Sequence, residues 1–312
     1  MQIESDLLLE RQKIRRKLVL WRCMAIIIFV VSVASIIVSA SLSKMGSGGD
    51  HLVKLKIEGI IGSDVSKQVK LIDDALADKS IKGLILCVNS PGGAVTGGEQ
   101  LHDAVMRFAK EKPVVVSMGG VAASAGYMIS VPANRIFALN STLTGSIGVI
   151  MQAPDISGLL GKVGITVDQL VSGPLKGQPS MVKPLSPQGR EMLQGLIENF
   201  YDQFVGMVAQ GRHMDVAKVK ELGDGRPYSG QQAVNNGLVD QIGTEQDAKK
   251  WLAQYLKLSS DIKVIELKNK KPSKWFSRFM GETLGDTMNG VMQQALYNSH
   301  ENLDGAIAIW KP

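Results

Sequence analysis

The stretch "IKGLILCVNSPGGAVTGGEQLHDAVMRFAKEKPVVVSMG" (residues 81–119) decides the fold. Residues 81–90 are a nearly continuous apolar run, the pattern of a strand buried on both faces. Pro91-Gly92-Gly93 follows at once, and from about Gly98 to Lys110 the apolar residues recur at helical spacing. A second apolar run, "PVVVSMG" (113–119), completes a strand–helix–strand unit. Such units predict an α/β domain with a mostly parallel sheet and right-handed crossovers.

Working outward, the same alternation continues on both sides. "HLVKLKIEGII" (51–61) alternates as a strand does, and "KQVKLIDDALAD" (67–78) is amphipathic at helical spacing. Downstream, "RIFAL" (135–139) and "ITVDQLV" (165–171) are predicted strands. The segment 186–212 is a predicted long helix, with Ser186 as N-cap and Pro187 in its first turn. "GQQAVNNG", "LVDQI" and "EQDAKKWLAQYL" predict a closing helix, strand and helix.

Before this domain the chain changes character. Cys23–Ser43 is a run of 21 uncharged, mostly apolar residues. At 1.5 Å per helical residue, that suffices to cross about 30 Å of hydrocarbon. Six Lys/Arg lie between Arg11 and Arg22. By the positive-inside rule they keep the N-terminus cytoplasmic and send the remainder across. The expectation is a single-pass protein of the inner or plasma membrane, its main domain on the periplasmic or extracellular side. A cleavable signal ending at "VSA" (38–40) is the competing reading; the length of the apolar run favours an anchor. The expected divisions are a basic leader (1–22), the anchor (23–43), a linker (44–50), the main domain (51–267) and a tail (268–312).

Charge and cysteine usage narrow the function. The net charge of +6 gathers at the ends: residues 1–22 carry six bases and three acids, residues 263–278 six bases and one acid. Between them, 22 bases face 21 acids, which speaks against a nucleic-acid surface and for a membrane partner. Cys23 falls in the apolar run and Cys87 in a predicted buried strand, so no disulfide is expected. No P-loop, zinc spacing or dinucleotide fingerprint occurs, and neither metal nor cofactor is expected.

Candidate chemistry centres on "GGVAASAGY" (119–127), where nearly every side chain is a hydrogen or a methyl around one hydroxyl, Ser124. A serine between a strand and a helix can be a nucleophile beside an oxyanion site; it can equally be a helix cap. Glycines 92 and 93, between strand and helix, expose unhindered backbone amides. The N–H groups of Gly93 and Ala125 could together hold an oxyanion. None of the four histidines is placed as a triad base: His51 opens a strand, His213 ends a helix, His300 lies in the tail, and His102 reads as part of a solvated helix face. Lysine is the other partner known for serine, provided it is held neutral by burial or neighbouring positive potential. Lys176, in the Gly/Pro-rich loop "VSGPLKGQPS", is the candidate.

"NSPGGAV", "MGGVAASAGYMIS", "TGSIGVI", "SGPLKG" and "GRPYSGQQAVNNGLVDQIG" stand in the order and spacing of the signal peptide peptidase A family, which the chain resembles over roughly residues 50–265. The resemblance implies a membrane-anchored serine protease with a Ser-Lys dyad on the Clp-protease/crotonase fold. Ser124 would be the nucleophile, Lys176 the general base, and the Gly93 and Ala125 amides the oxyanion hole. Ser146 of "TGSIGVI" would orient the lysine. Signal peptides and other hydrophobic extended peptides would be the substrates. Single-repeat members such as this chain resemble homo-oligomers of eight protomers in which neighbours share each site. Pro174 and Leu175 stand where the family has a more polar pair. The rival readings are a crotonase-like acyl-CoA enzyme and an inactive membrane scaffold.

The tail carries its own expectations. Its cations interleave with Trp275, Phe276 and Phe279, suiting an oligomer contact or a membrane interface. Its last residues include "GAIAI" (305–309), small and apolar. Such a strand suits simple docking, or occupancy of an active site as competitor or self-cleavage substrate.

Overall fold

The computed structural model describes residues 21–22, 24–35, 49–268 and 307–309. The chain divides into two units, Met1–Gly49 and Asp50–Pro312. In the first, residues 24–35 are helical with their apolar side chains exposed. Among the described residues no helix is long and apolar enough to cross a membrane; the rest of the expected span, 36–43, lies outside them. Most of the leader and linker, and the tail's Trp275, Phe276 and Phe279, also lie outside the described residues.

The second unit is built on the expected alternation. Its elements begin with β1 (His51–Glu58), α1 (Ser66–Ala77), β2 (Ile81–Ser90), β3 (Gly92–Ala94) and α2 (Val95–Glu111). They continue through β4 (Val114–Ala123), α3 (Ala125–Met128), β5 (Arg135–Ala138), β6 (Leu143–Gly145), α4 (Ser157–Lys162) and α5 (Pro187–Arg212). The domain then closes with α6 (Val216–Leu222), β7 (Pro227–Ser229), α7 (Gly230–Asn235), β8 (Gln241–Ile242), α8 (Glu245–Tyr255) and β9 (Val264–Glu266). A separate strand, β10 (Ile307–Ile309), ends the described chain.

The main sheet has eight strands in the path β7-β6-β4-β2-β1-β9, with β5 branching off β4 and leading to β8. All its pairings are parallel except β6 with β7. β2 is central because both its faces are apolar: Leu84, Leu86 and Val88 join the large core with α2 and α5, while Ile85 joins a smaller core under α8. α2 presents Leu101, Ala104, Val105 and Phe108 to the large core at helical spacing.

β4 forks, and the fork creates the site. Its first half, Val115–Ser117, pairs with β5; its second half, Val121–Ala123, swings to β6. The Thr144 hydroxyl fixes that second pairing by donating to the Ala122 carbonyl at 2.7 Å. The Asn89 side chain ties β2 to the bend by accepting from the Val121 N–H at 3.2 Å.

Three expectations are corrected. Residues 165–171 form no strand: they lie on an exposed excursion between α4 and α5, where the alternating apolar side chains find no sheet to join, and Leu170 is 93 % exposed. α2 begins at Val95 rather than near Gly98, because the glycines there serve close approach instead of a loop. A Cβ on Gly98 would come within 3.0 Å of Ala125 Cβ and Met128 Sδ. His102 is buried, its Nδ1 3.1 Å from Asp103 Oδ1, and not on a solvated face.

Candidate active site

β4 runs straight into Ser124, where the backbone takes φ 53° and ψ −119° before entering α3. A side chain with a Cβ pays about 1–3 kcal/mol in that region. The surroundings impose it: the Ser124 N–H donates to the Gly145 carbonyl at 2.8 Å, and the Ser124 carbonyl accepts from the Met128 N–H at 2.8 Å. Ser124 holds the N-cap position of α3, yet its hydroxyl makes no capping hydrogen bond. A capping serine has extended backbone and bonds an amide two or three residues on. Ser124 does neither.

α3 is clamped from behind. Tyr127 is fully buried and donates its hydroxyl to the Leu238 carbonyl at 2.8 Å; burial pushes its phenol upward from the ordinary range. The Leu238 segment is in turn held by Arg212, which donates to the Gly237 carbonyl at 3.0 Å and to Asp240 at 2.6 Å. Part of the small-residue stretch is explained by packing, since a Cβ on Gly126 would sit 2.7 Å from the Ser90 carbonyl oxygen. Small side chains let α3 close on the backbone of β2.

Two amides belong to elements that border Ser124. In β3, the Gly92 carbonyl accepts from the Ile61 N–H at 2.9 Å and the Ala94 N–H donates to the Ile61 carbonyl at 2.8 Å. Successive strand residues turn their polar groups to opposite edges, so the Gly93 N–H and C=O face the other edge. Only glycine fits there, because a Cβ would overlap the backbone of Ile61. α3 neighbours β3, and the Ala125 N–H, at the first position of α3, has no intrahelical acceptor.

Ser146 joins this group through the sheet. The β4–β6 register sets Ala123 opposite Gly145, so Ser124 and Ser146 each follow a member of one pair. Ser146 also has a positive φ, 48°, its N–H donating to the Arg226 carbonyl and its hydroxyl to the Gly225 carbonyl, both at 3.1 Å. It forms one wall of a cavity of about 680 Å³ lined also by Val149, Ile150, Ile197 and Tyr201.

Lys176 is placed differently. It lies on the excursion between α4 and α5, its side chain exposed, its N–H donating to the Gly173 carbonyl at 3.0 Å. Within one chain no hydrogen bond joins it to Ser124 or Ser146. The excursion around it, with α4 before it, exposes Leu159, Val163, Ile165, Leu170 and Met181.

Other reactive groups stand apart from this cluster. The Cys87 thiol is pushed up to about 12 by burial and by the adjacent Glu245 carboxylate, 3.5 Å away, which is itself bonded to Lys54 at 2.6 Å. Such surroundings disfavour the thiolate that a nucleophile needs. Among the described residues no group of three or more His, Cys, Asp or Glu could hold a metal ion. Sequence reasoning missed the supports: Asn89, Tyr127 and Thr144. The asparagine directly before "SPGG" was the one visible signal; the bonds of Tyr127 and Thr144 depend on strands whose pairing no local pattern reveals.

Known proteins resemble the chain over this domain. The profile described as "Peptidase family S49" matches residues 106–259, and that described as "Clp protease" matches residues 53–154. The chain is 38 % identical over 259 residues to the Enterococcus faecium protein named "Putative signal peptide peptidase SppA", covering 77 % of this chain and 74 % of that one. It is 36 % identical over 222 residues to a Synechocystis protein named as a protease, covering 71 % and 80 %. "Protease 4" of Salmonella typhi is 40 % identical over 201 residues, 64 % of this chain and 32 % of that longer protein. The chain therefore belongs to peptidase family S49, the serine protease family of signal peptide peptidase SppA.

Proposed function

We propose that this chain is a serine endopeptidase in which Ser124 attacks the scissile carbonyl and Lys176 is the general base. The observation that carries the reading is the strained Ser124, buried at a strand-to-helix turn with its hydroxyl withheld from capping. Strain of this kind persists where a function needs the side chain aimed. The Gly93 and Ala125 amides hold the tetrahedral oxyanion, each contributing a few kcal/mol to lowering the barrier. Lysinium then protonates the leaving amine, and water hydrolyses the acyl-enzyme. No step requires a metal or cofactor.

The lysine must reach a serine and be neutral when it does. In one chain Lys176 is exposed on an arm whose apolar side chains are also exposed, a patch soluble monomers seldom leave uncovered. A homo-oligomer, eight protomers in the reading by resemblance, covers that arm. It carries Lys176 to a neighbour's Ser124 beside Ser146, which orients it, and excludes the water that favours the charged form. Substrates are extended hydrophobic peptides, signal peptides left in the membrane among them. They bind by strand addition at the edge of β3 that faces away from Ile61, the edge along which β10 pairs. The segment 23–43 anchors the enzyme in the inner or plasma membrane, N-terminus cytoplasmic, with the catalytic domain on the periplasmic or extracellular side.

Hydrolysis of a fluorogenic peptide ester with small apolar residues tests the dyad. Wild type turns over, while Ser124→Ala and Lys176→Ala each lose at least about 10³-fold in kcat. Full activity in either variant contradicts the assignment.

A further inference from the structure

A cavity of about 500 Å³ lies between α2, the segment 132–134 and the C-terminal end of α5, on residues that the proposed chemistry does not use. Met106 and Ala109 of α2, Pro132, and Met207 of α5 supply its apolar part. Small-ligand sites run to about 300–1,000 Å³ and combine such a lining with a few placed polar groups.

The polar groups here are unequally satisfied. The carboxylate in the wall, Asp240, is already used: its Oδ1 accepts from Arg212 at 2.6 Å and its Oδ2 from the Ile136 N–H at 2.7 Å. Asn134 spends its side-chain oxygen on the Val114 N–H at 2.7 Å, which leaves its own N–H groups. His102 Nδ1 lies 3.1 Å from Asp103 Oδ1, so Nε2 is the ring nitrogen left for the cavity. Lys110 forms no ion pair among the described residues. His213 adds a backbone observation. It ends α5 at φ 51°, ψ 44°, the left-handed region where helices place glycine or asparagine. A histidine kept at such a position costs stability, and this one lines the same cavity.

We propose that the cavity binds a small apolar carboxylate, the chemistry shared by the C-terminus of a short apolar peptide and by a short fatty acid. Lys110 and the two imidazoles supply counter-charge and donors, and the apolar tail rests on the methionines, Ala109 and Pro132. An apolar amine meets Lys110 instead and finds Asp240 already paired, so charge selects the anion. The site reaches α3 through its own wall. Arg212 and Asp240 line it and also hold the Gly237–Leu238 segment to which the Tyr127 hydroxyl is anchored. α2 and α5 both touch α3 as well. A carboxylate beside Arg212 competes with Asp240 for the guanidinium and loosens that hold, lowering kcat without competing with substrate. This coupling rests on Ser124 being the nucleophile; the binding does not.

Calorimetric titration of the full chain in detergent tests the site, using an N-acetylated Ala-Leu dipeptide, its C-terminal amide, and hexanoate. The dipeptide acid is expected to bind, and its amide about tenfold more weakly for want of a charge-assisted hydrogen bond. Lys110→Glu should weaken the acid by about the same factor, and so should His213→Gly, in which glycine takes the left-handed backbone freely. Hexanoate binding as tightly as the dipeptide acid assigns the site to apolar carboxylates at large; weaker hexanoate assigns it to peptide C-termini. No heat from either acid, equal binding of the amide, or unchanged affinity in either variant overturns the site. In the peptide-ester assay the bound acid should lower kcat at least about twofold with KM unchanged. A raised KM places the probe in the substrate cleft and overturns the site, whereas binding with kcat unchanged overturns the coupling. A wild type inert toward the ester overturns the peptidase reading and the coupling with it, while the titration still decides the site.

Discussion

Ser124 concentrates the local cost of the site. Its backbone lies at φ 53°, ψ −119°, fixed by hydrogen bonds to Gly145 and from Met128, so the strain cannot relax without moving β6 or α3. Glycine adopts that conformation without steric penalty but loses more entropy on folding, about 0.5–1 kcal/mol against about 1–3 kcal/mol of strain relieved. Ser124→Gly should therefore be inactive yet more stable than Ser124→Ala by about 1 kcal/mol, or about 2–4 °C in Tm. Thermal unfolding of the two variants side by side checks this, and an equal or lower Tm for the glycine variant contradicts it. The sequence showed Ser124 as an isolated hydroxyl among small residues, enough to single it out. It could not exclude a helix cap, since that turns on two dihedral angles and one missing hydrogen bond.

At the scale of elements, local chemistry marked the boundaries it controls. Ser186 caps α5 as expected, its hydroxyl accepting from the Gly189 N–H at 3.0 Å with Pro187 in the first turn. Ser186→Ala should cost about 1 kcal/mol, read as a lower urea midpoint with unchanged slope; no shift would mean that tertiary contacts alone start the helix. The central strands and α2 were legible because burial on one or two faces imprints a period on the residues. β3, β6, β7 and β9 were not, since three residues carry no period and these strands exist through their partners. The opposite error arose at 165–171, where an alternating pattern lies on the surface. Those apolar residues suit a partner's surface, as proposed for the arm that carries Lys176.

For the whole molecule, one chain brings Ser124, the Gly93 and Ala125 amides and Ser146 to the fork of β4, but leaves Lys176, the proposed base, exposed on a separate apolar arm. The proposed Ser124–Lys176 dyad accordingly requires two copies for one active site. The direct measurement is peptide-ester hydrolysis by full-length Ser124→Ala and Lys176→Ala proteins, each alone and co-expressed as mixed assemblies in detergent. Each variant alone should be inactive, and the mixture should recover a substantial fraction of wild-type activity, because some sites combine an intact Ser124 from one copy with an intact Lys176 from another. A mixture that forms yet stays as inactive as its components would contradict a site shared between copies.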